Sequence, residues 1–466
     1  MKIHFLGIGG IGVSALAKYY LEKGHQISGS DLKGSEITKE LKEKGVKIFI
    51  GKHKRENLPK NVNLVIFSPA IEKQNPELKE AKKRKIKILS YPQALGQLTK
   101  EHFTIACCGT HGKSSTCSMV GFILEKAGLD PTIIVGTKMK NFQNSNCKIG
   151  KSKYLVIEAD EYQGSFLNYS PKIVILTSLD WDHPDYFKTK KDYFLIFKKF
   201  IEKIPKDGFL ILNKDDKNIL KLKNQISAPH QNKAQSKIAL NRTLRTKLKI
   251  KILEYSLKDR ESKKIKKVLK VPGEFNVSNA LAAIKCAKIL KIPEKISLLA
   301  FSEFLGCWRR SDSKKIKIGK KEIEIIDDYG HHPKEVLETS LALFEKFKEK
   351  KVLLIFQPHQ FQRTFYLFEE FVKTFRKIPF EKIWILDVFS VAGREKKAIK
   401  KKVNSKKLVQ AIKKENVIYV AKEKLFEALK KEYQKFNVII FMGAGDIYEK
   451  SLELKKFLES RLQRPS

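Results

Sequence analysis

The stretch Cys107–Thr116, CCGTHGKSST, sets glycines, a lysine and hydroxyls in the order that phosphate chemistry uses. Gly109 and Gly112 let backbone N–H groups come close to phosphate oxygens, and Lys113 supplies a cation for the terminal phosphates. Ser114 and Ser115 offer a hydroxyl to Mg²⁺. The apolar run HFTIACC before the stretch and the helical pattern CSMVGFILEKAG after it put these groups on a strand-to-helix turn. Such a turn adds the partial positive charge of a helix N-terminus. The general form of the motif has a glycine six residues before the lysine, where Cys107 stands. Alone, the stretch fits an ordinary glycine turn as well as a nucleotide loop.

A second glycine cluster, GIGGIG, places Gly7, Gly9, Gly10 and Gly12 after an apolar run at the start of the chain. Asp31 follows about 20 residues later, the arrangement of a dinucleotide fingerprint. By itself this would indicate a nicotinamide dehydrogenase, but that reading leaves the second phosphate loop unexplained. Glu158 ends the apolar run YLVIE, where a carboxylate can hold Mg²⁺. His183 in LDWDHPDYF reads by itself as a loop histidine, because imidazole is an unusual magnesium ligand. Asn276 and Asn279 in PGEFNVSNALAA fit either helix capping or recognition of an adenine edge. Arg309, Arg310, Arg363 and Arg394 stand near strand ends in a chain that uses lysine by default. A planar guanidinium retained there suits a carboxylate or phosphate, with a structural ion pair as the alternative.

These groups need a scaffold, and the composition supplies one. Apolar residues make up 42% of the 466, enough for packed cores. At roughly 150 residues per domain, the length suggests about three domains. The net charge of +43 comes from lysines spread along the whole chain, such as Lys82-Lys83, Lys190-Lys191 and Lys400–Lys402. That spread reads as solvated faces, so no specific nucleic-acid partner is expected, while anionic small substrates are drawn in. Six cysteines without a CxxC pair read as buried thiols in a reducing cytosol. No apolar run approaches ~18 residues, so no membrane span is expected and the chain reads as soluble and cytoplasmic. Strand-like runs at 154–160, 172–180 and 208–213 alternate with helical patterns, as do IEIIDDYG, KVLLIFQ, KIWILD and VIIFMG. This alternation predicts an α/β chain of mostly parallel sheets divided at 1–98, 99–306 and 307–466. The polar stretch 228–268 shows too little periodicity to place.

The stretch GTHGKSST resembles the G-T-x-G-K-[ST]-[ST] loop of the Mur ligases, ATP-dependent enzymes that build the peptidoglycan peptide; their residue at the place of Cys107 is usually apolar. The resemblance continues in order through LDWDHPDYF, PGEFNVSNALAA, GCWRR, DDYGHHP, FQPHQFQRT and FMGAGDIY, and backwards to IHFLGIGGIGVSALA with GSD. It implies a Rossmann-like UDP-binding domain, a central P-loop ATPase-type domain and a Rossmann-like C-terminal domain. It also implies an amide-bond ligase of the branch that adds L-alanine to UDP-N-acetylmuramate through an acyl phosphate, acting as a monomer or weak homodimer. The alternatives are the branch that recycles a whole tripeptide and, in a different class, a basic nucleic-acid-binding protein on an inactive ligase scaffold.

The resemblance also implies roles. Gly109, Thr110, His111, Gly112, Lys113, Ser114, Ser115, Asn276 and Asn279 would hold ATP. Ser114, Glu158 and His183 would hold Mg²⁺. The UDP-sugar would lie on Gly7, Gly9, Gly10 and Gly12, with Ser30, Asp31, His53 and Ser68 around it. Arg310 would reach the γ-phosphate, and Asp328 would position the nucleotide or that arginine. His332 would take the ammonium proton, and His332, His359 and Arg363 would face the amino acid, Arg363 on its carboxylate. Three residues depart from the family pattern: Ser178 after Thr177 where asparagine is common, Phe275 where histidine is usual, and Gln360 where arginine or threonine is frequent.

Overall fold

The computed structural model describes residues 1–227, 250–319, 321–391 and 395–461. Among these residues, eighteen strands form three sheets. The first contains β1 (Lys2–Leu6), β2 (Gln26–Asp31), β3 (Lys47–Ile50), β4 (Leu64–Phe67) and β5 (Lys87–Ser90), in the order β3-β2-β1-β4-β5. All its pairs are parallel, and helices connect most of its strands. The order reverses at β1, so the turn after β1 opens at the switch point where ligands bind in such sheets.

The second sheet comprises β6 (Phe103–Cys108), β7 (Thr132–Met139), β8 (Ser145–Lys148), β9 (Tyr154–Glu158), β10 (Ile173–Leu176), β11 (Phe209–Asn213) and β12 (Lys251–Tyr255). Its order is β12-β11-β10-β6-β9-β7-β8, parallel except for the β7–β8 pair. Strand β6 is central, and its C-terminal end feeds the phosphate-type loop. Part of the unplaced polar stretch is thus a strand, β12, and a helix, Glu261–Val268.

The third sheet holds β13 (Asp312–Ile318), β14 (Lys321–Asp328), β15 (Val352–Phe356), β16 (Lys382–Ile385), β17 (Val417–Tyr419) and β18 (Val438–Met442). The order is β13-β14-β18-β15-β16-β17, with only β13–β14 antiparallel. The run VLLIF of β15 shows why this sheet is covered on both faces. Val352, Leu354 and Phe356 enter one apolar cluster, while Leu353 and Ile355 enter another. A strand apolar at every position needs such two-sided burial.

The chain divides into two compact units. One comprises Met1–Asp180, Phe194–Val268 and Ser278–Phe304 and holds the first two sheets; the other comprises Trp181–Tyr193, Leu269–Val277 and Leu305–Ser466 and holds the third. Two short segments inside the expected central domain, Trp181–Tyr193 and Leu269–Val277, therefore group with the third sheet. Among the described residues no helix is long and apolar enough to cross a membrane.

Candidate active site

Strand β6 ends at Cys108, and the loop after it needs two glycines for different reasons. Gly109 has φ +130°, and a Cβ there would lie 2.4 Å from Thr177 Oγ1. Gly112 has φ +81° and caps the helix Lys113–Lys126 without any side-chain cap, which leaves its first N–H groups open. The Asn279 amide packs on Gly112, where a Cβ would meet its Oδ1 at 2.4 Å. Thr110 donates to the Asp180 carbonyl at 2.7 Å, and the His111 N–H donates to Ser178 Oγ at 2.8 Å. Ser178, although a departure from the family pattern, thus braces the loop directly.

Lys113 Nζ donates to the carbonyls of Gly109 (2.6 Å) and Thr110 (3.2 Å) and to Glu161 (3.0 Å). Burial would lower its pKa, but the carboxylates of Glu161, Asp160 and Glu158 outweigh it and raise the value above the ordinary one. Glu161, fully buried, is a partner the sequence reading missed. Ser114 Oγ donates to Glu158 Oε2 at 2.8 Å, and the same oxygen accepts from the Gly136 N–H at 2.8 Å. A hydroxyl and a carboxylate have therefore converged beside the phosphate-type loop, and this all-oxygen pair fits a hard cation such as Mg²⁺.

The glycine turn after β1 is built the same way. Gly7 has φ +73°, and its N–H donates to the Ser30 carbonyl at 2.8 Å. Asp31 Oδ2 accepts from the Gly9 N–H at 2.8 Å, and a Cβ on Gly7 would stand 3.0 Å from Ser68 Cβ. Gly10 caps the helix Ile11–Glu22, again without a side-chain cap or an acidic first turn. Ser30 and His53 are held by a residue the sequence reading missed, the fully buried Glu77. Its carboxylate accepts from His53 Nδ1 at 2.6 Å, His4 Nε2 at 2.8 Å and Ser30 Oγ at 3.0 Å. Burial would raise the Glu77 pKa, yet these donors hold it below the ordinary value. The Nδ1 proton of His53 is thereby fixed, and its buried Nε2 has no hydrogen-bond partner among the described residues.

In the other unit the two neighbouring arginines separate. Arg309, with φ +56° and 7% exposed, donates to the carbonyls of Gly443 and Gly445 among the rings of Trp308, Tyr329 and Tyr448. Its job is internal. Arg310 keeps 31% of its side chain exposed, stacks on Tyr329 and lies 3.9 Å from Glu335. Asp328 accepts from the N–H groups of Ser311 (2.7 Å) and Gly330 (2.8 Å), so it pins the backbone next to Arg310. Arg394 lies outside the described residues.

Arg363 is 2% exposed, and the carboxylate it holds is that of Asp182. Nε and Nη2 reach the two oxygens at 2.8 and 3.3 Å, while Nη1 lies 3.0 Å from His359 Nδ1. Burial would raise the Asp182 pKa, but Arg363, helped by His183, His332 and His331, holds it well below the carboxylate range. His183, with φ +53°, donates its N–H to Asp182 Oδ1 at 2.7 Å. Gln360, with φ +71° and 1% exposed, has neither amide atom paired among the described residues. An unpaired buried amide is costly, about 1–3 kcal/mol, unless a ligand satisfies it. Asn276 donates to the Pro272 carbonyl at 2.7 Å in this unit.

The two histidines of DDYGHHP differ in tautomer. His332 caps the helix Pro333–Lys346, its Nδ1 accepting from the Lys334 N–H at 3.3 Å. A neutral ring so fixed carries its proton on Nε2, where it donates and does not take a proton. His331 donates Nδ1–H to the Tyr329 carbonyl at 3.0 Å, which leaves the lone pair on Nε2. Burial pushes its pKa down to about 4. The unfolded chain therefore binds this proton more readily between about pH 6.5 and 4. Stability will fall as pH drops through that window, by on the order of 3 kcal/mol, and His331→Gln will flatten the slope in urea denaturation.

Comparison with known proteins agrees along the whole chain. Family models match residues 2–103 (Mur ligase family, catalytic domain), 107–287 (Mur ligase middle domain) and 315–445 (Mur ligase, glutamate ligase domain). A UDP-N-acetylmuramate–L-alanine ligase of Caldicellulosiruptor saccharolyticus is 38% identical over 97% of this chain and 98% of its own. One from Hydrogenobaculum sp. is 35% identical over 98% of each. Among solved structures, the UDP-N-acetylmuramate-alanine ligase of Thermotoga maritima superposes with a TM-score of 0.74 at 25% identity, covering 99% of both chains. A murein peptide ligase of Psychrobacter arcticus shares the fold, with a TM-score of 0.70 at 19% identity and full coverage of both chains. With three ordered domain models and full-length relatives above 30% identity, the chain belongs to the Mur ligase family.

Proposed function

We propose that the chain is an ATP-dependent amide-bond ligase that joins L-alanine to UDP-N-acetylmuramate in cytoplasmic peptidoglycan precursor synthesis. One observation carries this reading. Two anion-binding turns, Gly7–Gly12 and Gly109–Ser115, lie in one compact unit, and the second has Lys113, Ser114 and Glu158 beside it. A dehydrogenase needs only the first turn, and an ordinary ATPase only the second. A ligase that activates the acid of a UDP-sugar needs both.

A carboxylate does not acylate an amine in water because oxide is too poor a leaving group. Transfer of the γ-phosphoryl group onto the muramoyl acid makes phosphate the leaving group. The alanine amine then attacks the acyl phosphate, and the tetrahedral adduct expels phosphate. Lys113 and Arg310 spread the negative charge that moves during transfer. Ser114 and Glu158 would hold Mg²⁺, which when bound neutralises charge on the phosphates. Asn279 and Asn276 serve the nucleotide, and Asp328 fixes the backbone that carries Arg310. Of the two histidines, His331 has its lone pair on Nε2, while His332 Nδ1 is tied to a backbone N–H. Burial holds the His331 pKa at about 4, so it accepts the ammonium proton only once the negative charge of the bound phosphates raises its basicity. His359 and the Gln360 amide, unpaired among the described residues, face the amino acid, and Arg363 holds that wall through Asp182.

Purified protein with Mg²⁺, ATP, UDP-N-acetylmuramate and L-alanine will release ADP in step with a new amide. L-Serine and glycine will be poorer, and the tripeptide will not react. Turnover with the tripeptide alone would move the assignment to the recycling branch; no ADP with any acceptor would overturn it.

A further inference from the structure

We propose that Tyr91 binds the UDP-sugar, its phenol donating a hydrogen bond to an anionic oxygen of that ligand between the glycine turn and Glu158. The proposal rests on the ligase reading above. Tyr91 opens the helix Tyr91–Glu101, where a Ser90–Gln93 capping box and Pro92 fix the backbone that aims it. The ring tip lies on the glycine turn: a Cβ on Gly12 would stand 2.9 Å from both Cζ and Oη. Gly12 belongs to the first turn of the helix Ile11–Glu22, whose N-terminal N–H groups have no side-chain cap. An anion held there would lie within reach of the phenol.

Toward the second sheet, the Glu158 and Asp160 carboxylates are close enough to add to burial in raising the Tyr91 pKa above its ordinary value. A tyrosine phenol is protonated at neutral pH and acts as a donor. Among the described residues its hydroxyl has no hydrogen-bond partner, and Tyr91 is only partly buried, so a ligand can reach it. The spacing between turn and sheet is fixed as well. Asn146 of β8 donates to Ser14 at 2.8 Å and accepts from Lys18 at 3.0 Å, both on the glycine-turn helix. The ligand must run from its diphosphate at the glycine turn to its acid at the phosphoryl donor, and Tyr91 stands against the first and near the carboxylates of the second.

Tyr91→Phe keeps the ring on Gly12 and removes only the hydroxyl. Calorimetric titration of wild type and variant with UDP, UDP-N-acetylglucosamine, UDP-N-acetylmuramate and ADP tests the assignment. The expected result is about tenfold weaker binding of UDP-N-acetylmuramate, with ADP affinity and thermal midpoint unchanged. An equal loss for UDP identifies the diphosphate as the partner, and a loss confined to UDP-N-acetylmuramate identifies the acid; both support the proposal. Wild-type affinity of the variant for all three uridine ligands overturns it, with or without a change in midpoint. Wild-type protein that binds ADP but no uridine ligand overturns the ligase reading, and this proposal with it.

Discussion

Lys113→Ala will lower kcat about 10³-fold while UDP-N-acetylmuramate still binds with near wild-type affinity. The factor corresponds to about 4 kcal/mol of transition-state stabilisation, the scale for removing one preorganised charge from a transferring group. Lys113 has that preorganisation: two loop carbonyls and Glu161 hold its ammonium within 3.2 Å. Substrate therefore meets an ordered cation at little entropic cost. Truncation also leaves Glu161 charged and fully buried, which destabilises the loop on its own account. The double variant Lys113→Ala with Glu161→Gln separates the two effects. It will recover thermal stability but not turnover, read as ADP release at saturating ATP. Recovery of turnover in the double variant would mean that the lysine serves the loop and not the phosphate.

How much of this site was legible in the sequence follows from distance along the chain. Lys113 and Ser114 belong to one short loop whose glycines, lysine and hydroxyls announce themselves, and β6 before it is an apolar run. Glu161, Glu77 and Asp182 carry no such local signature. Each matters because the fold brings it to a partner 48, 24 and 181 residues away. A buried carboxylate is invisible until its partner is placed. The pair Arg309–Arg310 shows the same limit. Both are arginines at a strand end, yet one fills an aromatic box and the other stays partly exposed. One missed feature was readable: in HHPKE, proline follows His332 and Glu335 completes a capping box, which ties the imidazole to the helix end.

Asp182→Ala will cost about 3–5 kcal/mol of stability, because it strands a guanidinium that is 2% exposed. Breaking one side of a buried pair costs more than replacing both sides with apolar groups. Asp182→Leu with Arg363→Met will therefore be far closer to wild type in chemical denaturation than either single truncation. The acid dependence follows from the depressed Asp182 pKa. A carboxylate held below its unfolded value stabilises fully above about pH 4 and loses that contribution as pH falls through the lower folded value. The gap between wild type and Asp182→Ala will thus persist from neutral pH to about 4 and narrow below it. The double variant also decides what Arg363 does. With stability restored, a raised KM for L-alanine at unchanged KM for ATP would show that the guanidinium, or the His359 ring it steadies, serves the amino acid. Wild-type KM values for both would confine Arg363 to holding Asp182, and with it the turn that carries His183.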